Sequence, residues 1–281
     1  MISIDLMVTS KCNLSCPFCY GSDQSTLETS ITDKYKIVDV IHEICPDALL
    51  VISGGEPTMY SDICNLCKYA HSLGFSIALQ TNATNHKIYK TLLKYLKWIC
   101  FPLDGVSAHV CSKMRQTELH YKHTIDAIKH VSEYRLKHST TLPKIKIGTV
   151  ITSLNYHELD SIYKAIESTQ IDVWKIYKLR KRGKSANIKM YNALKCSAVN
   201  IEQFIENIKP QFNIYYSQEE ANDSYLIIEP DSEVKVIKGR DCISYGYIIQ
   251  NNKTNNSTLY NALNYMNLEN ASTNIRNSFL M

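Results

Sequence analysis

Apolar positions along this chain follow two alternating rhythms. Short runs rich in β-branched residues cover 3–9, 48–57, 75–82, 97–105, 144–151 and 172–179, and each reads as a buried strand. Between them, apolar residues recur every three or four positions near 32–45, 61–73, 85–96, 119–138 and 156–168, which predicts helices. An α/β alternation of this length implies parallel pairing through right-handed crossovers, as an open doubly wound sheet or a curved partial barrel. In either arrangement the site lies at the C-terminal strand ends. The chemically unusual residues fall there: three cysteines follow the first strand, "SGGEP" ends the second, "QTNAT" the third, "PLDG" the fourth and "KLRKRGK" the sixth.

The alternation weakens after residue 185, where a helix over 200–209 and a hairpin made from "SYLIIEP" and "EVKVIKG" are expected. The chain therefore divides into a barrel over 1–185 and a small α+β extension over 186–281 that closes it. The tail from residue 250 is Asn-rich and is expected to form a short surface helix with mobile ends.

Composition narrows the classes. A chain of 281 residues suits one main core. Lys and Arg total 31 against 27 Asp and Glu, a formal charge of +4, too mild for stable nucleic-acid binding. Residues 1–30 hold no secretory leader pattern, and no run approaches the roughly 18 apolar residues of a membrane span. The expectation is a cytoplasmic protein off the membrane, whose ten cysteines stay reduced as ligands or core residues.

The stretch "TSKCNLSCPFCYG" places Cys12, Cys16 and Cys19 on one loop. Three thiolates can hold three irons of a [4Fe-4S] cluster and leave the fourth open, whereas structural zinc takes four protein ligands. Spacing alone also allows a zinc site completed by a distant Cys or His. Cys64 and Cys67 form a second CxxC, but they share a helical face with Ile63 and Ala70 and are expected to pack.

The CxxxCxxC spacing, with Phe18 before its third cysteine, resembles the radical S-adenosylmethionine (SAM) enzymes. That resemblance implies a partial (βα)6 barrel, a [4Fe-4S] cluster on the three cysteines, and SAM on the open iron. Cleavage of SAM then yields a 5'-deoxyadenosyl radical. The likeness extends over 1–185. Gly54, Gly55, Glu56 and Pro57 match the segment that binds the SAM amine, Asn82 a polar residue near its ribose, and Arg115 an arginine that pairs with its carboxylate. A reducing flavodoxin or ferredoxin is the implied partner.

The basic stretch "KIYKLRKRGK" is expected at and beyond the end of strand 6, opposite the cysteine loop. Lys175, Tyr177 and Leu179 share one strand face; if it lines the barrel, Lys175 is an interior cation seeking an anionic partner, and Lys146 is a second candidate. A solvated basic edge or a flavodoxin-docking surface fits the same residues.

Here "KIGTVITSLNYHELD", "VWKIYKL" and "NDSYLIIEP" resemble viperin-type nucleotide dehydratases, which convert nucleoside triphosphates to 3'-deoxy-3',4'-didehydro nucleotides. The resemblance assigns nucleotide contacts to Lys146, Lys175 and Tyr225, with Tyr225 the candidate for the catalytic proton. Three positions depart from that pattern: Leu49 and Val173 replace two cations, and Gly148 replaces an asparagine near the sugar. The competing reading is a radical SAM enzyme that matures a precursor peptide. It calls for a peptide-binding N-terminal domain or auxiliary-cluster cysteines, and Cys196 and Cys242 are too few for the latter.

Overall fold

The structure is a computed structural model, and residues 2–21, 27–197, 200–217, 224–238 and 241–273 are described. Six strand-helix units open the fold: β1 (Ser3–Thr9), α1 (Ile31–Ile44), β2 (Leu49–Gly54), α2 (Ile63–Ser72), β3 (Ser76–Gln80), α3 (His86–Leu92) and β4 (Trp98–Pro102). They continue through α4 (Ala108–Arg115), α5 (His120–Lys137), β5 (Lys144–Ile151), α6 (Leu159–Ile166) and β6 (Val173–Lys178). These six strands pair in parallel, as the alternation requires, and in chain order, which is the arrangement of a partial barrel and not of a doubly wound sheet.

Strand periodicity decides which residues reach the interior. Ile4, Leu6 and Val8 of β1, Leu50 and Ile52 of β2, and Trp174 and Ile176 of β6 enter the core shared with the helices. The intervening residues face the other way. There Leu49, Val51, Ala78, Trp98, Cys100 and Val173 pack into a separate apolar floor. Leu49 and Val173, which stand where the viperin pattern carries cations, thus belong to that floor.

The chain beyond β6 does not build a body of its own. After α7 (Ile188–Leu194) and α8 (Ile201–Glu206), β7 (Asn213–Ser217) adds in parallel to β6 at one edge. The predicted hairpin forms as β8 (Ser224–Ile228) and β9 (Glu233–Lys238), antiparallel to each other, and β10 (Asp241–Tyr247) continues it. β8 pairs in parallel with β1, so one ten-stranded sheet runs β10-β9-β8-β1-β2-β3-β4-β5-β6-β7. The extension widens both edges of the sheet; the reason is that β1 and β6 otherwise expose unpaired backbone groups.

The tail also departs from expectation. A small ribbon of β11 (Ile249–Gln250) and β12 (Lys253–Thr254) leads into α9 (Asn256–Thr273). Leu259, Ala262, Leu263 and Met266 of α9 are buried in the main core. Their spacing is one apolar helical stripe, masked in the sequence by the surrounding asparagines. Residues 274–281, the expected mobile end, lie outside the described residues, as does Gly239 of the hairpin.

Candidate active site

The loop after β1 carries the cysteines, and its neighbours hold it closely. Gly55 N donates to Thr9 O at 2.7 Å and Glu56 N to Lys11 O at 2.8 Å. A Cβ on Gly55 would lie 2.2 Å from Lys11 O, so the glycines of "GGEP" permit close approach to the cysteine loop. Cys16 is buried, Cys12 is half-buried and Cys19 is exposed. Cys67 packs fully buried on α2 beside Ile63 and Ala70, and burial pushes its thiol up to about 12.

Glu56 is also buried. Its Oε1 accepts from Thr58 N at 3.1 Å, Thr58 Oγ1 at 2.6 Å and Thr81 Oγ1 at 2.7 Å, and its Oε2 accepts from Asn82 N at 2.7 Å. Burial pushes the carboxyl above its usual range, and these four bonds pull it part of the way back. Asn82 Nδ2 donates to Asn13 Oδ1 at 2.8 Å, which ties the end of β3 to the cysteine loop. Pro57 opens the 3₁₀ turn that Glu56 caps.

The helix α4 was not legible as a helix, yet it delivers Arg115. Ser107 caps it, accepting from Val110 N at 3.2 Å, and Val110 and Met114 are buried. Arg115 Nε and Nη2 lie 2.6 and 2.5 Å from Oδ2 of the fully buried Asp104, the aspartate of "PLDG". Its guanidinium stacks 5.0 Å from the Phe18 ring centroid, and Nη1 lies 3.6 Å from Cys16 Sγ. The sequence marks "PLDG" as a strand-end segment but not the pairing of its Asp104 with Arg115, which lies eleven residues on.

The segment after β6 does not stand opposite the cysteine loop; it crosses to it. Lys184 N donates to Cys19 O at 2.9 Å, Lys184 Nζ to Ser15 Oγ at 2.7 Å, and Arg182 sits 5.9 Å over the Tyr20 ring. Its turn uses Gly183 at φ +55°.

Beneath these loops is a cavity of about 880 Å³ lined by Cys12, Cys16, Cys19, Glu56, Asn82 and Arg115 above and by Asp5, Ser53, Cys100, Lys146, Tyr177 and Tyr225 below. Lys146 is 4% exposed and lines it; Lys175 is 0% exposed and lies behind the lining, its Nζ 5.1 Å from the Tyr177 ring. Burial pushes the Lys146 ammonium below the usual lysine range, against the pull of Cys100, Tyr225 and Asp5. Tyr177 approaches Gly148 so closely that a Cβ there would lie 3.3 Å from the ring, so this ring fills the space the pattern's asparagine would need. Arg180 stacks 5.1 Å over Tyr225. Asp5 and Ser53 had no individual signal in the sequence beyond strand alternation, whereas Tyr177 shared the Lys175 face and Arg180 belonged to the basic stretch after β6.

This donor set fits the iron-sulfur cluster and SAM. Three thiols on one loop beside a guanidinium suit an anionic cluster, and the cavity directly beneath offers a carboxylate and an amide to a polar ligand. Among the described residues no group of three or more His, Cys, Asp or Glu side chains could hold a single metal ion. Thiolates that bind different irons of one cluster need not converge on a point. Also among the described residues, no helix is long and apolar enough to cross a membrane.

Comparison with known proteins agrees with the geometry. The radical SAM superfamily model matches residues 6–166. An S-adenosylmethionine-dependent nucleotide dehydratase of Flammeovirga pacifica is 23% identical over 81% of this chain and 80% of its own. One of Lacinutrix mariniflava is 24% identical over 81% of this chain and 49% of its own. In fold, Streptococcus suis SuiB bound to S-adenosylmethionine superposes with a TM-score of 0.64 at 16% identity, over 83% of this chain and 59% of SuiB. The chain therefore spans little more than half of that solved neighbour. The cysteine loop, the sheet that presents it and the matched family model together place the chain in the radical SAM superfamily, an enzyme that works with a [4Fe-4S] cluster and SAM.

Proposed function

We propose that the chain is a nucleotide dehydratase, acting on a nucleoside triphosphate to remove the C4' hydrogen and the 3'-hydroxyl of its ribose. The observation that carries this reading is the lower cavity, where Lys146 lines the wall, Lys175 lies directly behind it, and Arg180 and Arg182 descend from the segment after β6. Cations converging on one enclosed space suit an anionic substrate. The dehydratase relatives, matched over four-fifths of this chain, support the same class.

When bound, the cluster and SAM supply a 5'-deoxyadenosyl radical able to take a hydrogen atom from the substrate. Cys12, Cys16 and Cys19 would hold the cluster, with Phe18 and Arg115 packed against it. Gly54, Gly55, Glu56, Pro57 and Asn82 shape the pocket for SAM, and Arg115 faces the same space. Lys146 and the arginines orient the phosphates, while Tyr177 and Tyr225 wall the sugar. The apolar floor of Leu49, Trp98 and Val173 leaves the far end without the two cations of the viperin pattern, so fewer phosphate contacts are made there. A flavodoxin or ferredoxin would deliver electrons on the side where Cys19 is exposed.

The test is anaerobic reconstitution followed by screening nucleoside triphosphates and precursor-type peptides for release of 5'-deoxyadenosine under a low-potential reductant. Stimulation by a nucleoside triphosphate with a product lighter by one water is the expected result. Stimulation by peptides alone would transfer the chain to the peptide-maturing class.

A further inference from the structure

We infer that Asp5, on the cavity face of β1, is the acid that protonates the hydroxyl group leaving the substrate. This rests on the dehydratase reading and supplies the proton that the reaction needs.

Three observations lead to it. Alternation along β1 buries Ile4, Leu6 and Val8 against the helices and turns Asp5 into the cavity, which it lines. Ser53 of the neighbouring β2 donates its hydroxyl to Asp5 Oδ1, which fixes the carboxyl while leaving Oδ2 for a ligand. Asp5 also lies four residues below Thr9, where β1 ends, roughly 13 Å along the strand from the mouth that carries the cysteine loop. A carboxyl at that depth is placed for a second molecule beneath SAM.

The charged and titratable groups around Asp5 come from every wall: Lys146 of β5, Cys100 of β4, Glu229 after β8, Arg182 after β6 and Tyr20 after the cysteines. Glu229 is buried with its Oε2 unpartnered. Burial pushes the Asp5 carboxyl up to about 6, Glu229 adds to the rise, and Ser53, Lys146 and Arg182 oppose it. Near neutrality part of the population therefore holds a proton on the cavity wall, within reach of a bound ligand. Tyr225 shares the wall, but a phenol is a far weaker acid, near 10 on the usual scale, and Arg180 stacks on its ring.

In the step itself, removal of the C4' hydrogen atom leaves an unpaired electron at C4'. The C3'–O bond breaks with its electron pair on oxygen, Asp5 gives that oxygen its proton, and water departs. The sugar is left as a radical cation, which one electron from a flavodoxin- or ferredoxin-class donor converts to the C3'=C4' alkene. Asp5 regains its proton from solvent.

Asp5→Asn tests this in the full-length, reconstituted protein with a nucleoside triphosphate deuterated at C4'. The expected result is that deuterium still reaches 5'-deoxyadenosine while dehydrated product falls by about a hundredfold or more. In the unmodified enzyme, product per 5'-deoxyadenosine should decline as pH rises above about 6, and the variant should show no such slope. Infrared titration of the substrate-free protein supplies an independent reading: a protonated carboxyl band that disappears as pH rises through about 6 and is missing in the variant. Full product yield in Asp5→Asn, or no such band, overturns the assignment of Asp5 alone. Absence of product from the unmodified enzyme with every nucleoside triphosphate overturns the dehydratase reading and this one with it.

Discussion

Gly183 rests directly against Cys19: a Cβ on Gly183 would lie 2.4 Å from the Cys19 carbonyl oxygen, the same oxygen that accepts from Lys184 N at 2.9 Å. The segment after β6 thereby clamps the third cysteine, and the clamp needs glycine both for this contact and for its φ of +55°.

Gly183→Val should therefore loosen the cysteine loop without touching a ligand. Reconstituted protein is expected to hold less iron and to lose the 4Fe-4S absorbance faster on dilution. Cys12→Ala, Cys16→Ala and Cys19→Ala should abolish that absorbance, and Cys64→Ala should leave it intact, since Cys64 Sγ contacts Thr91 on the outer face. Equal iron content in Gly183→Val and the unmodified protein would falsify the clamp.

Glu56 and Arg115 face the pocket proposed for SAM, and each charge-assisted contact is worth roughly 1.5 to 3 kcal/mol. Glu56→Gln and Arg115→Lys should each weaken SAM binding by about ten- to a hundredfold, measured by equilibrium dialysis. Because Asp104 anchors the Arg115 guanidinium at 2.5 Å, Asp104→Asn should reproduce part of the Arg115 loss while leaving Glu56 undisturbed. Wild-type affinity in Asp104→Asn would show that Arg115 does not depend on that anchor.

Lys146 and Lys175 should separate. Lys146 lines the cavity, so Lys146→Met is expected to lower nucleotide affinity by about ten- to a hundredfold with SAM binding retained. Lys175 lies behind Tyr177, so Lys175→Met should act through the position of that ring and have the smaller effect on affinity. Isothermal titration with a nucleoside triphosphate distinguishes the two; identical losses would mean that both ammonium groups meet the substrate directly.

Asp5 should cost stability at neutral pH. Burial pushes its carboxyl from the ordinary value of 3.8 up to about 6, so the folded state holds the proton more tightly than the unfolded chain does. Its favourable contribution is fully present below about 3.8 and is lost as pH rises through about 6. Asp5→Asn, which cannot ionise, should raise the melting temperature at pH 7.5 and have little effect at pH 3.5. A lower melting temperature at pH 7.5 would place Asp5 among the supporting residues of the fold.

Particular elements show why some of this was readable in advance. The six strands of the barrel were legible because buried parallel strands are runs of β-branched residues, and the antiparallel hairpin of β8 and β9 because two such runs flank a short turn; in both the signal is local to each run. The loop of three cysteines proposed to hold the cluster was legible because its spacing is local to one short stretch. By contrast α4 is only eight residues long with few apolar positions, and α9 hides its stripe among asparagines; both became helices through the neighbours they pack against.

By itself the sequence determined the succession of strands and helices, the loop that carries three thiols and the alternation that makes Lys146 and Lys175 candidates for the interior, since each depends on residues close together in the chain. The tertiary structure alone decided that Asp104 meets Arg115, that Gly183 meets Cys19, and that Asp5, Ser53 and Lys146 share one cavity with Tyr225. These are contacts between segments brought together by sheet register and curvature, and register is set by the packing of the whole core on both faces of the sheet.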